Sequence, residues 1–267
     1  MSVRNSLRAL PALARVSFAE ALAYRAEMLI WVLSTTMPLV MLALWSTVAS
    51  EAPVGRFGQE AFTAYFLSNF IVRQLTGSWA AWEMNYEVKT GSLSMRLLRP
   101  VEPIISYAVG HLSALPLRSL VAIPVAGVML SVVGTKFLPT DWVLWLVWAA
   151  AMLGAWLITF LINICVGSLA LYMESSLKIM EIYFVLFMVL SGYLIPVELF
   201  PAGLREVVNV LPFRFQIGLP VELMTNAHGR DAALGLLLRQ WGYVVLFGSL
   251  AVALWKGGLR RYAAFGG

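Results

Sequence analysis

Residues 142–173 read WVLWLVWAAAMLGAWLITFLINICVGSLALYM, and this stretch contains no Asp, Glu, Lys, Arg or His. A second stretch without these residues covers Met28–Ser50. The hydrocarbon core of a bilayer is about 30 Å thick, and about 20 apolar residues cross it as a helix rising about 1.5 Å per residue. Both stretches are long enough, and we therefore predict a protein that crosses a membrane several times.

The composition of the whole chain agrees with this prediction. Hydrophobic residues make up 60% of it and charged residues 12%, whereas a soluble domain carries about 25% charged residues. The formal net charge of +5 could indicate nucleic-acid binding, but the cations lie between and beside apolar segments and not in a dense patch. Cys165 is the single cysteine, which excludes a disulfide within the chain.

Apolar runs separated by polar turns predict an all-α membrane protein with six transmembrane helices. Residues 1–27 form one predicted unit, and residues 28–267 form the predicted transmembrane domain. The predicted spans are about 28–50, 61–82, 104–132, 142–173, 177–196 and 232–256.

Lysine and arginine residues predict the orientation, because they are enriched on the cytoplasmic side of a membrane. The short outer loops receive only Arg56 and Lys136, if the N-terminus is cytoplasmic. The inner side then receives Arg4, Arg8, Arg15, Arg25, Lys89, Arg96, Arg99, Lys178, Lys256, Arg260 and Arg261. We therefore expect a multi-pass protein of the bacterial inner (plasma) membrane with both termini in the cytoplasm.

Residues 3–27 have the spacing of an amphipathic helix that lies in the headgroup layer. Apolar residues recur at helical spacing from Val3 to Ala21, and Arg4, Arg8 and Arg15 fall on a neighbouring face. Pro11 is expected to kink this helix or split it. A solvated basic tail is the alternative interpretation.

The sequence contains no pattern typical of an enzyme or a metal site. It has no G-x-x-x-x-G-K-[ST] segment that would cradle nucleotide phosphates. Its two histidines, His111 and His228, lack the spacing of zinc ligands, and no serine, histidine and carboxylate form a recognisable triad. We therefore expect no catalytic residue, no metal and no cofactor in this chain.

Three arginine or histidine residues fall within the second and third predicted spans, where a charge costs about 2.5 to 3.5 kcal/mol. These are Arg73, His111 and Arg118. They indicate either a polar translocation path with an anionic substrate, or a structural ion pair or hydrogen bond to a broken helix. No Asp or Glu lies at comparable depth, which disfavours an ion-coupled carrier that binds its ion through a buried carboxylate.

The segment between the second and third spans predicts a short cytoplasmic helix. Gly91 is expected to end the preceding helix, and Ser92 or Ser94 to cap a new one that stops at Pro100. Leu93, Leu97 and Leu98 would then form one apolar face with cations beside it. Such a helix suits docking into a groove of a partner protein. An interfacial loop that packs on lipid is the alternative.

The connection after the fifth span is punctuated by prolines. Apolar residues from Leu204 to Leu211 recur at helical spacing up to Pro212, and Pro220 is expected to open a second short helix that ends near Asn226 or Gly229. Neither helix is long enough to span a bilayer. We therefore predict re-entrant or interfacial helices on the outer face that gate an exit path.

Together these residues resemble the permease subunit of a type-2 ATP-binding-cassette exporter, in the six-span branch that works beside a separate ATPase. The resemblance covers essentially the whole chain. It depends on a segment of the form E-x-x-x-G-x-L-x-x-x-L-L-R-P, formed by Glu87, Gly91, Leu93, Leu97, Leu98, Arg99 and Pro100. The outer segment supports it through Gly192, Pro196, Phe200, Pro201, Pro212 and Pro220.

The resemblance implies a connecting helix at about 3–27, an ATPase-coupling helix at about 91–99, and outer re-entrant helices. It also implies a second permease subunit, identical or paralogous, and two cytoplasmic ATPase subunits that bind ATP and magnesium. Arg73 and Arg118 match no motif of the family. A secondary carrier and a membrane-embedded enzyme or scaffold are the alternative functions, and the sequence does not specify the substrate.

Overall fold

A computed structural model of the protein describes residues 3–24, 26, 30, 33 and 35–265. These residues form helices joined by short turns, and among them no β-strand occurs; a single bridge joins Val54 to Phe57 in a turn. The predicted all-α fold class is confirmed.

Twelve α-helices, numbered here in chain order, are described. They are α1 Val3–Ala23, α2 Met37–Glu51, α3 Gln59–Thr76, α4 Ala80–Thr90, α5 Leu93–Leu97, α6 Pro103–Ser113, α7 Leu115–Val133, α8 Trp142–Leu169, α9 Leu177–Leu190, α10 Ala202–Val210, α11 Gly218–Met224 and α12 Arg230–Phe265. Two 3₁₀ turns, Val197–Leu199 and Pro212–Phe215, flank α10.

Three of the predicted spans correspond to helical segments that are long and apolar enough to cross a membrane. They are Pro103–Val133, which combines α6 and α7, Trp142–Leu169 and Arg230–Tyr262. The shorter apolar helix α2 covers part of the predicted first span, whose beginning lies partly outside the described residues. A helix over 177–196 is shorter than predicted, because α9 ends at Leu190. The total of six spans stays a prediction.

Helix α8 is the central helix of the protein. It begins after Asp141, whose side chain accepts a hydrogen bond from the backbone N–H of Val143 over 3.0 Å and so caps the helix. Helices α4, α11 and α12 pack against it. Most of its C-terminal half is buried, so the most apolar segment of the sequence lies in the core of the protein.

Glycines of α8 lie where neighbouring helices approach closely. A Cβ at Gly154 would lie 2.7 Å from the Gln240 side chain, and a Cβ at Gly167 would lie 2.6 Å from the Met84 sulfur. Gln240, which is fully buried, donates hydrogen bonds to the carbonyls of Ala151 (2.9 Å) and Phe215 (2.8 Å). Small residues and polar bonds between helices are typical of membrane helix packing.

Large apolar side chains cover the outside of the helix bundle. Leu120 on α7, Ile182 on α9 and Leu238 on α12 are 67%, 64% and 76% exposed. Exposed apolar surface of this extent is costly in water but suits lipid or a second membrane subunit.

The N-terminal helix differs from the prediction in two respects. It is continuous from Val3 to Ala23 with Pro11 inside, so Pro11 does not split it. It ends before residue 27, which lies outside the described residues. Helix α1 packs against α6 and is thereby attached to the bundle, while its position in the headgroup layer stays a prediction.

Candidate functional site

The predicted second span is interrupted at Gly77, Ser78 and Trp79, where α3 ends and α4 begins. The Ser78 hydroxyl accepts a hydrogen bond from the Ala80 N–H (3.4 Å), and Asn163 Oδ1 of α8 accepts one from the Ala81 N–H (3.2 Å). These bonds satisfy N–H groups that a helix start leaves unpaired. The predicted span over about 61–82 is therefore not one helix but α3 and the start of α4, and its course through a membrane stays a prediction. Non-helical backbone at membrane depth is tolerated where it is buried in protein or lines a cavity.

A cavity of about 300 Å³ adjoins this break. Arg118 of α7 lines it and is 4% exposed. Its Nη1 donates a hydrogen bond to the Gly77 carbonyl over 3.1 Å, and its guanidinium lies 4.4 Å from the Trp79 ring centre. Arg118 therefore holds the end of the broken helix, which is one of the two interpretations of its position.

Arg73 lines the same cavity from the last turn of α3. Its guanidinium lies 5.3 Å from the centre of the Phe187 ring on α9. Neither Arg73 nor Arg118 takes part in an ion pair within the described part of the chain, so the ion-pair interpretation has no partner there. Their predicted role in a translocation path stays a prediction.

His111 lies behind the cavity and not on its wall. Its ring is 4.8 Å from the Trp79 ring and 6.1 Å from the Phe160 ring, both edge-on. The side chain is 3% exposed, and neither ring nitrogen has a hydrogen-bond partner among the described residues. His111 packs against Trp79, so it bears on the cavity only through that ring.

The predicted cytoplasmic helix is present but shorter than expected. Gly91 ends α4 in the left-handed conformation with φ of 73°, as predicted, and α5 follows over Leu93–Leu97. Leu93 is 1% exposed, Leu97 is partly buried, and Leu98 is 79% exposed. The three leucines therefore do not form one exposed face, because Leu93 and Leu97 pack into the core against α8 and α12.

Glu87 and Arg96 form a mostly buried ion pair that fixes α5. The Arg96 Nε donates to both Glu87 oxygens over 3.0 and 2.9 Å, and its Nη1 donates to the Ser106 hydroxyl of α6 over 3.0 Å. The Tyr107 hydroxyl donates to Glu87 over 2.6 Å, and Arg96 Nη2 also contacts Glu83 over 3.0 Å. Burial raises the pKa of Glu83, which the positive charge of Arg96 offsets in part. Glu87 therefore anchors α5 to α4 and α6.

Sequence reasoning missed Arg96, Glu83 and Tyr107 as members of this cluster. A signal existed in part, since Glu83 and Glu87 lie one helical turn apart and face a cation after the Gly91 turn. The contribution of Tyr107 depends on how α6 packs, and no local pattern reveals it.

The sequence model of the protein family described as ABC-2 family transporter protein matches residues 26–266. The chain belongs to this ABC-2 transporter family. The resemblance to type-2 permease subunits is thereby confirmed. The protein is a multi-pass permease component of an ATP-binding-cassette transporter. Such a permease works in a lipid bilayer with an ATPase partner. No curated protein matches it.

The surface of the permease next to the ion pair is exposed and largely apolar. Met95 and Leu98 are 66% and 79% exposed, and Arg99 and Pro100 are exposed beside them. We call these four residues the docking patch. The Ser94 hydroxyl lies 3.0 Å from the Tyr262 hydroxyl near the end of α12, so the patch also borders the C-terminal helix.

The outer segment of the permease contains two helices with different surroundings. Pro201 precedes α10, which is exposed except for the buried Val208 and the half-buried Asn209, while every residue of α11 is buried. Pro220 lies inside α11, which begins at Gly218, so the prediction that Pro220 opens this helix is wrong by two residues. Pro196 precedes the first 3₁₀ turn, Phe200 follows it half-buried, and Pro212 begins the second turn. A gating role for these residues stays a prediction.

A buried ion pair fixes α11 to the preceding turn. The Arg214 Nη2 lies 2.7 Å from Glu222 Oε2, and His228 Nε2 lies 2.7 Å from the same oxygen. Burial by itself would raise the pKa of Glu222, but the hydrogen bonds and positive charges of His228 and Arg214 lower it to about 2. The outer segment is therefore held by a carboxylate that stays ionised.

Proposed function

We propose that this permease forms half of the translocation path of an ATP-driven exporter, powered by separate cytoplasmic ATPase subunits. The observation that carries this proposal is the docking patch, an exposed apolar surface fixed to the bundle by the ion pair of Glu87 and Arg96. A surface that receives a power stroke has to be exposed to its partner and rigidly joined to the membrane helices.

The anchoring of α5 meets the second requirement. A helix of five residues is unstable on its own, because helix nucleation is costly. Here Leu93 is buried in the core, and Arg96 links α5 to both α4 and α6. A displacement of Leu98 is therefore passed to helices on both sides of the connection.

The remaining parts of the proposal concern partners and topology. Two ATPase subunits, which bind ATP and magnesium, drive the transport, and a second permease, identical or paralogous, completes the path. The protein crosses a bacterial inner membrane six times with both termini in the cytoplasm. The distribution of lysine and arginine supports this orientation, since it places Lys89, Arg96 and Arg99 on the cytoplasmic side with the docking patch.

Family membership favours this function over the alternatives. A secondary carrier needs no ATPase and gives the docking patch no role. A membrane-embedded enzyme or scaffold likewise gives the docking patch no role.

The docking role is tested with the substitution Leu98→Glu. Tagged permease is expressed in the host that supplies its gene, extracted in mild detergent, and assayed for co-purified ATPase by mass spectrometry and ATP hydrolysis. An uncompensated carboxylate in an apolar contact costs several kcal/mol. We therefore expect the variant to retain about one tenth or less of the ATPase.

The matched control is Val207→Glu on α10, where Val207 is 55% exposed on the predicted outer face. Both variants are compared at equal insertion, measured by yield and by size-exclusion profile. Normal ATPase recovery with Leu98→Glu, or an equal loss with Val207→Glu, would contradict the docking role.

A further inference from the structure

We propose that the cavity at the break between α3 and α4 binds an organic anion. The anionic group pairs with Arg118 and Arg73, and the apolar or aromatic body lies against Trp79 and Phe187. This inference rests on the proposed function, because it assigns the chemical class of the molecule that the permease carries.

The first argument is an imbalance of charge. Two guanidinium groups line the cavity, and no carboxylate lies among the described residues that line it. Glu83, in the first turn of α4, is engaged by Arg96 and not by the cavity arginines. A buried cation is costly unless an opposite charge or several hydrogen bonds compensate it. An anion in the cavity supplies that compensation.

The second argument is an unused donor. Arg118 is 4% exposed, and its Nη1 is bound to the Gly77 carbonyl, but its Nη2 has no partner within the described part of the chain. A guanidinium is a fork that suits two oxygens of one carboxylate or phosphate. Helix α4 begins at the cavity, and the partial positive charge of a helix N-terminus adds to the attraction.

The third argument concerns the rest of the wall. Aromatic rings lie beside both guanidinium groups, Trp79 next to Arg118 and Phe187 next to Arg73. Trp82 and Phe184, also on the wall, are 40% and 39% exposed, so the cavity reaches the outer surface between α4 and α9. Its volume of about 300 Å³ is at the lower end of pockets for small organic ligands. Such a wall favours a molecule with an apolar or aromatic body over a bare inorganic ion.

The proposal is tested by binding to the full-length permease in phosphatidylcholine nanodiscs, without any ATPase. Phenyl phosphate is titrated by calorimetry, with benzyl alcohol, benzyltrimethylammonium and inorganic phosphate as the neutral, cationic and bodiless probes. We expect phenyl phosphate to bind saturably and at least about tenfold more tightly than inorganic phosphate. We expect no binding of the neutral or the cationic probe, since hydrogen bonds to a charged group are the strongest in the site.

The substitution Arg118→Gln is expected to weaken phenyl phosphate binding by about 10- to 100-fold, as the loss of hydrogen bonds to a charged group does. Arg205→Gln on the exposed helix α10 is the matched control and should leave binding unchanged. If Arg118→Gln does not give folded protein by size exclusion, Arg73→Gln decides, because Arg73 is only half-buried. It should also weaken binding at least about tenfold.

Three results would overturn the proposal. These are equal binding of the neutral or cationic probe, equal binding of inorganic phosphate, and unchanged affinity in the folded arginine variant. Nanodiscs with added phosphatidylglycerol distinguish the two sources of an organic anion, because competition by this lipid identifies a lipid headgroup as the ligand and its absence identifies a soluble molecule. Failure to recruit an ATPase would leave these binding results intact, so the two proposals fail separately.

Discussion

Replacing Glu87 by glutamine tests how firmly α5 is anchored to its neighbouring helices. The Glu87 carboxylate accepts two bonds from Arg96 Nε, at 3.0 and 2.9 Å, and one from the Tyr107 hydroxyl at 2.6 Å. The two side chains of the ion pair are only 12% and 18% exposed, so solvent screens them little. Removing one partner of a buried ion pair costs about 3–5 kcal/mol. Because glutamine keeps one acceptor oxygen, we expect about 3 kcal/mol for Glu87→Gln, at the lower end of that range.

Hydrogen exchange of α5 measures this loss directly. The backbone N–H groups of Met95 and Arg96 donate hydrogen bonds to the Ser92 carbonyl, and that of Leu98 donates one to the Ser94 carbonyl. They exchange only when the segment opens. A loss of about 3 kcal/mol corresponds to exchange faster by about 100-fold at 25 °C, since each 1.4 kcal/mol is about a factor of ten. The amides of α8 should be unaffected.

Glu83→Gln is the matched control for this experiment. Glu83 accepts one bond from Arg96 at 3.0 Å, and burial already disfavours its ionised form by raising its pKa. Its neutral replacement should therefore change the exchange of α5 by less than about tenfold, the effect of one weak ion pair. Exchange in Glu87→Gln within about twofold of the wild type, or equal acceleration in both variants, would refute the assignment of Glu87 as the anchor.

Two further predictions concern packing and pH. Gly167→Ala should lower the free energy of unfolding in mixed SDS micelles by about 1–3 kcal/mol, because the added Cβ would lie 2.6 Å from the sulfur of Met84; Gly127→Ala, with nothing within 4 Å, should not. An effect of equal size at both glycines would contradict close packing at α8. Glu222 has its pKa lowered from 4.5 to about 2, so its contribution is present above pH 4.5 and is lost as the pH falls from about 4.5 to 2. In Glu222→Gln the unfolding midpoint should therefore depend less on pH in this range. A pH dependence equal to that of the wild type would contradict the stabilising role of the Glu222 carboxylate.

The sequence was sufficient to predict the elements that depend on the local sequence alone. The apolar run at 142–173 predicts α8, and Gly91 predicts the end of α4, because a left-handed residue there favours glycine. The resemblance to the family was recognised from the segment that contains Glu87, Gly91 and the residues after them, and the match of the family model confirms it.

The break at Gly77 could not be predicted from hydropathy. The residues before it, from Arg73 to Ser78, are mostly polar, but a membrane helix can carry such residues and their presence does not place a break. The break depends on Asn163 and Arg118, which reach it from α8 and α7. Likewise the burial of Leu93 depends on the approach of α8 and α12. Where distant helices supply the hydrogen bonds or the packing partner, the local pattern alone is not informative.

The length of helix α12 determines how it can move. It contains 36 residues, which at about 1.5 Å per residue is a rod of about 54 Å, well beyond a hydrocarbon thickness of about 30 Å. Roughly a third of the way along it, Tyr243 donates a hydrogen bond to the Val210 carbonyl, and near its C-terminal end Tyr262 contacts Ser94. Because it is uninterrupted, the rod has no internal hinge to absorb a push at α5. In the proposed mechanism, such a push becomes a tilt or slide of the whole of α12 along α8, and it moves the hydrogen bond that joins α12 to the end of α10 at Val210.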